Sequence, residues 1–393
     1  MLRLLRWKKF KDALTGIGLV AAAAALVAAP TEAMAGARDG LKLCLNVITP
    51  SLFPFFVLSA LVVDLGLATG LGRLLQRFMY PLFRVNGRCA AALILGFVGG
   101  YPVGARTAIA LYSQGQCTRT EAERLLAFCN NSGPAFILGV VGAGIFGDGR
   151  IGLLLYLTHA LASLLVGLIF RFCGGREEGS VGAERTNKKP IRAVSLPGAF
   201  TGAVKSALES TLSISAFVIF FSVVLRLLTH YGVLDLLAGG LAHLGFRPMW
   251  AKRLVAGLLE LTSGVSSLTE SGSLTGRVSM AAFMLGWAGI SVHCQVLSFL
   301  IDCGLSARTY LAGKLCHGLL AAGLTWLLAR FLPIHEPVAA YLSRQADALA
   351  ELEFATALRV SLLAAGAVFL LIFCLSVSKL RKWGRKKNTH PVY

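Results

Sequence analysis

Apolar tracts long enough to cross a lipid bilayer recur along this chain, near residues 14–30, 41–67, 126–146, 151–171, 206–229, 278–300, 308–331 and 355–377. Each approaches the roughly 20 residues that an α-helix needs to cross about 30 Å of hydrocarbon. Lipid offers no partner for backbone amides and carbonyls, so such tracts must be helices. An all-α polytopic membrane protein with about eight transmembrane helices is therefore expected. Composition agrees: 56% of the 393 residues are hydrophobic and 15% are charged, too few charges to clothe a water-soluble globule of this size.

The 38 Lys and Arg outnumber the 19 Asp and Glu. They lie in short clusters beside the apolar tracts, where cytoplasmic loops belong, and form no basic face for a nucleic acid. With the amino terminus inside, Arg73, Arg77, Arg84, Arg88, Arg119 and Arg124 fall inside, as does the basic tail from Lys379 to Lys387. Both termini are then cytoplasmic. The cluster Arg247, Lys252 and Arg253 is the weak point, because this topology puts it outside. The first apolar segment, Leu14 to Ala29, is read as an uncleaved span, although Ala33-Met34-Ala35 after it has the form of a signal cleavage site. The nine cysteines show no C-x-x-C pair, so neither a disulfide framework nor a zinc site is indicated. No serine triad, metal cluster, Walker loop or dinucleotide fingerprint occurs, and the chain is not expected to be an enzyme or to hold a cofactor.

Two stretches are apolar but interrupted. Cys89–Tyr112 contains Gly96, Gly99, Gly100, Pro102 and Gly104, and Leu254–Thr275 contains Glu260 and Gly264. Both read as re-entrant or broken hairpins. Leu93–Gly99 matches Leu258–Gly264 without a gap, Ser132–Phe136 lies opposite Ala288–Val292, and Leu157–Leu161 opposite Leu315–Leu319. Each match is weak alone, but their common order suggests two repeats. Each half has an odd number of crossings, so halves joined by an inside linker must be inverted. Such architectures place the substrate near the membrane midplane, at the broken helices.

Polar residues inside the apolar stretches are the candidate site. Glu260 is costly in lipid unless paired, protonated or hydrated, which points to proton or sodium coupling; a hydrogen bond to the adjacent helix break is the plain alternative. Arg106 follows Gly99 and Gly100, where a guanidinium and approachable amides suit an anion; it could equally snorkel to the interface. Asn130, Asn131 and Ser132, with their counterparts Ser291, His293 and Gln295, could recognise a polar solute or satisfy carbonyls freed at Pro134. Glu209, Ser210, Thr211, Ser213 and Ser215 decorate the start of the second half. Asn46, Thr49, Pro50, Ser51 and Pro54 decorate that of the first, where the prolines predict a kink. His159 and His317 are read as interhelical hydrogen-bonding residues.

The runs Asn46–Phe56, Gly96–Ala105, Cys129–Pro134 and Gly286–Gln295 together resemble the sporulation integral membrane protein family with nucleoside-recognition Gate domains, across roughly residues 10 to 380. The resemblance implies a protein of endospore-forming Firmicutes in the outer forespore membrane. It further implies movement of dipicolinic acid, with calcium as a candidate co-transported ion, toward a separate inner-membrane import system. It also implies likeness to the core of concentrative nucleoside transporters. Arg106 with Gly99 and Gly100 would then cradle the dianion. Thr262, Ser263, Gly264, Ser291 and Gln295 would take the ring nitrogen or second carboxylate, with Glu260 and His293 assigned to ion coupling. A nucleoside or nucleobase carrier and a non-transporting scaffold are the rival readings. Expected partners are the bilayer, the solute and a further copy of the chain as a homo-oligomer. The expected layout is a basic amino terminus with the first helix (1–38), a first Gate-like repeat (39–172), a cytoplasmic linker (173–196), a second repeat (197–331), an external loop with the final helix (332–378), and a basic tail (379–393).

Overall fold

The computed structural model describes residues 2–64, 67–173, 196–269, 272–301 and 303–331. Most of the expected linker, the external loop, the final span at 355–377 and the tail lie outside the described residues. Those described are helical throughout, with no strand among them. The first half runs α1 (Leu2–Ala28), α2 (Pro30–Leu43), α3 (Thr49–Asp64), α4 (Leu67–Phe83), α5 (Ala90–Gly99), α6 (Val103–Ser113), α7 (Arg119–Cys129), a π-helix (Ala135–Ile145) and α8 (Gly149–Phe170). The second runs α9 (Leu196–His230), α10 (Val233–His243), α11 (Pro248–Leu259), α12 (Leu261–Ser266), α13 (Leu274–Trp287), α14 (Gly289–Ile301) and α15 (Ala307–Leu328).

Among the described residues four helical stretches are long and apolar enough to cross a membrane: Gly149–Phe170, Leu196–His230, Leu274–Leu300 and Ala307–Leu328. Two bent pairs raise the number to six: Asp12–Ala28 with Pro30–Asn46, bent by 95°, and Leu75–Phe83 with Gly87–Gly99, bent by 108°. The chain is thus an all-α polytopic membrane protein. Among the described residues, straight spans are fewer than the seven apolar tracts that fall there because several of these bend or break. The first pair bends at Ala29, where Pro30 has no amide to continue the ladder and starts α2 instead. The tract 126–146 is interrupted over residues 130–133, and the span expected at 278–300 is interrupted at Ala288, which is left-handed with φ of 81°. Pro50 and Pro54 do not unwind the chain. A π turn over Cys44–Ile48 joins α2 to α3 ahead of them, and Pro54 stays inside α3.

Both interrupted stretches fold as hairpins or broken pairs. α5 and α6 meet where Gly96 faces Gly104, and a methyl group on either would overlap the carbonyl of Cys129. α11 and α12 meet in the same way, where a methyl on Gly264 would overlap the Gly257 backbone and one on Gly257 would press on Met284. The gapless match of Leu93–Gly99 with Leu258–Gly264 is therefore out of register with the folded chain: Gly99 ends the helix before its break, whereas Gly264 lies in the helix after its break.

α8 and α15, each 22 residues long, stand at the centre. One apolar core joins them to α4, α5, α6, α7 and α14, through residues such as Phe83, Phe128, Val166, Val296 and Tyr310. A second joins them to the π-helix, α12 and α13, through Ile137, Leu155, Val265, Met284 and Ala321. The two cores hold the helix breaks between them.

Candidate functional site

α7 stops at Cys129 and leaves a run of carbonyls without their usual amide partners. The Phe128 carbonyl accepts from Asn131 Nδ2 at 3.0 Å and from Ser163 Oγ of α8 at 2.7 Å. Asn131 Nδ2 also reaches Ser163 Oγ at 3.2 Å. The Asn130 carbonyl accepts from Lys314 Nζ of α15 at 3.0 Å. Within the break, the Ser132 amide donates to His159 Nε2 at 3.1 Å, and Asn130 Oδ1 accepts the Ala105 amide at 3.4 Å. Asn130, Asn131 and Ser132 thus hold the break together through these bonds.

Lys314 organises this region and is fully buried. Besides the Asn130 carbonyl, its ammonium donates to Tyr101 Oη at 3.0 Å and lies 3.4 Å from His317 Nδ1. His317 Nε2 faces the His159 carbonyl at 2.9 Å. A carbonyl only accepts, so Nε2 carries the proton and Nδ1 is left as the acceptor for lysine. The three ammonium hydrogens are then each matched to a neutral acceptor. Tyr101, at the tip of the first hairpin, donates a hydrogen bond from its own hydroxyl to the Leu285 carbonyl of α13 at 2.6 Å. The rings of His159 and His317 lie 4.3 Å apart. His293 Nδ1 lies 3.0 Å from Tyr310 Oη, and its ring meets the edge of Trp287 at 4.4 Å.

The second break has the opposite sign. Glu260 is extended between α11 and α12 and buried, and its carboxylate accepts the amides of Thr262 at 3.0 Å and Ser263 at 2.6 Å. Those amides are committed to the glutamate rather than offered to a solute. Gly264 is committed to the contact with Gly257. The two breaks of each half also touch one another. Gly100, with φ of 73°, packs its Cα against Gly133, and Gly289, with φ of 78°, packs against the backbone of Glu260 and Leu261. Gly99 ends α5 and is buried in this contact region.

Arg106 stands apart from the glycine turn, one turn into α6. It is exposed, donates from Nη1 to Ser210 Oγ of α9 at 2.8 Å, and lies over the Phe299 ring of α14 at 5.7 Å. Ser291 and Gln295 are buried on α14 and precede Phe299 by eight and four residues, so they share its face. Arg106, Ser210, Gln295 and Ser291 therefore line one seam between α6, α9 and α14. Thr211, beside Ser210, is buried with an unpartnered hydroxyl. Other buried polar atoms also find no protein partner, among them Asn131 Oδ1, His159 Nδ1 and His293 Nε2.

The candidates thus fall into three places: the first break around Lys314, the second break around Glu260, and the Arg106 seam. Sequence reading missed Lys314, Tyr101 and Tyr310. The signal for Lys314 was present, since it precedes His317 by three residues and so shares its face in the middle of an apolar helix.

Residues 45–175 match the Gate family, described as nucleoside recognition. No solved structure matches the chain. Over 335 residues, covering 80% of this chain and 82% of the relative, the sequence is 32% identical to the sporulation integral membrane protein YlbJ of Bacillus subtilis (strain 168). Identity of that extent, on a chain whose helices suit a bilayer, places this protein in the family of that sporulation integral membrane protein.

Proposed function

We propose that the chain is a secondary transporter carrying a small anionic heterocyclic solute, dipicolinate, across the outer forespore membrane of sporulating cells, with both termini in the mother-cell cytoplasm. The observation that carries this reading is the pairing of helix breaks, each stabilised by a charge from the chain itself: Lys314 on the carbonyl end of α7 and Glu260 on the amide end of α12. Irregular backbone is tolerated at membrane depth only when buried in protein or facing a wet cavity, and transporters use it to bind solute. Two halves of like order support an inverted repeat. In both, a hairpin or broken pair is followed by a helix broken at mid-length and then an unbroken helix of 22 residues. His159 and His317, equivalent in the repeat match, lie against each other, as residues beside a two-fold axis do.

The Arg106 seam is the proposed anion contact, because a guanidinium held by Ser210 keeps a fixed orientation and carboxylates accept well from it. Buried polar atoms that the protein leaves unmatched, Asn131 Oδ1 and His293 Nε2 among them, suit a polar heterocycle. Glu260 holds its own break, so its assignment to ion coupling requires that this cap open during the cycle. Handover to an inner-membrane import system and co-transport of calcium belong to the same proposal. A nucleoside carrier is the second reading, favoured by the Gate match.

The test is uptake of labelled dipicolinate into sealed proteoliposomes containing the full chain, under imposed proton or sodium gradients, with uridine as competitor. Saturable uptake insensitive to uridine, and reduced about tenfold or more in Arg106→Gln at equal insertion, is expected. Uridine uptake that survives Arg106→Gln would instead select the nucleoside reading.

A further inference from the structure

Lys314 is arranged as a bound cation would be. Its ammonium meets a backbone carbonyl at the end of a helix, a tyrosine hydroxyl and an imidazole nitrogen, all neutral. Among the described residues no carboxylate lies within ion-pair distance of it. The acceptors it binds come from three separate pieces of chain: the tip of the first hairpin, the break after α7, and α15 itself. α15 comes close enough because Gly313, the residue before the lysine, sits directly on the Ala127 backbone. A carbonyl at the end of a helix is where the helix dipole favours positive charge, and carbonyl and hydroxyl oxygens are the ligands that alkali cations take.

We propose that the break after α7 is a latent alkali-cation site, filled by the ammonium of Lys314, so that the chain carries its own cation there and needs no sodium at that position. The inference goes beyond transport and does not depend on it, since it concerns what holds the first break in shape. Three consequences separate it from a lysine that merely fills space. Removing the charge together with the side chain vacates the site, a small cation from solution can then enter, and Tyr101 is required as one of that cation's ligands.

The experiment measures thermal unfolding of the purified full-length protein in sodium chloride and in choline chloride at equal ionic strength. The wild type is expected to melt at the same temperature in both salts. Lys314→Ala should melt lower in choline and regain about 1–3 °C in sodium, and the added change Tyr101→Phe should abolish that gain. The proposal is overturned if Lys314→Ala melts alike in both salts, if the gain survives Tyr101→Phe, or if the wild type gains as much from sodium. Should Lys314→Ala not be recovered folded, Lys314→Arg and Lys314→Met decide. Recovery of the arginine variant above the methionine variant supports a required cation, and equal or better recovery of the methionine variant overturns it.

Discussion

At the residue scale the protein places one charge of each sign where an interrupted helix exposes its dipole. Glu260 replaces the amide partners that α12 lacks in its first turn, an arrangement that a neutral side chain copies poorly. Glu260→Ala should cost about 1–2 kcal/mol in stability, and Glu260→Gln less, because one amide oxygen still accepts. Thermal unfolding of the purified variants checks the order; equal losses would mean that a single amide oxygen does not stand in for the carboxylate, whose charge then carries the whole effect. The glycines that close the hairpins give a sharper expectation. A methyl on Gly104 overlaps the Cys129 carbonyl, which is backbone and cannot rotate away. Gly104→Ala should therefore lose about 1–3 kcal/mol, the usual range for overpacking, whereas Gly115→Ala, with open space around its Cβ position, should lose stability only through its φ of 66°.

At the element scale, the helices and the interruptions within 89–112 and 254–275 were legible in the sequence, since apolar length and clustered Gly and Pro report directly on what a backbone can do in lipid. Gly100 and Glu260 mark those two breaks, whereas the breaks at 130–133 and at Ala288 fell inside tracts read as spans. The register between the hairpins was not legible. Short stretches of Leu and Gly match in several offsets, and only the contacts of Gly96 with Gly104 and Gly257 with Gly264 fix it. Lys314 escaped notice because nothing local reveals that two of its three acceptors, Tyr101 and the Asn130 carbonyl, lie in the other half of the chain. The same non-local logic governs Ser163, whose hydroxyl on α8 serves the end of α7. Ser163→Ala leaves the Phe128 carbonyl with Asn131 Nδ2 as its remaining side-chain partner, so a loss of about 1 kcal/mol is expected. The double change Ser163→Ala with Asn131→Ala should cost more than the sum of the single losses, measured as a double-mutant cycle on unfolding.

For the whole molecule, the two halves are not independent bundles set side by side. α15 of the second half closes the break of the first through Lys314, His317 reaches the His159 carbonyl, and Thr325 donates to Thr158 at 2.8 Å. A chain split within 174–195 tests this directly. The first half expressed alone should be cleared from the membrane, and co-expression of the second should restore its abundance severalfold by immunoblot. Accumulation of the first half on its own at the level of the intact protein would show that the crossing contacts are dispensable.

The pairing of Lys314 with Asn130 also sets a clock. The carbonyl is made 184 residues before the ammonium that satisfies it, which at ordinary translation speeds is a delay of about 10–40 s. Throughout that interval the newborn first half sits in the bilayer with its central break unsealed. Insertion machinery or water must shelter it until the last central helix is released, which makes the nascent chain, more than the finished protein, the stage most exposed to membrane proteases.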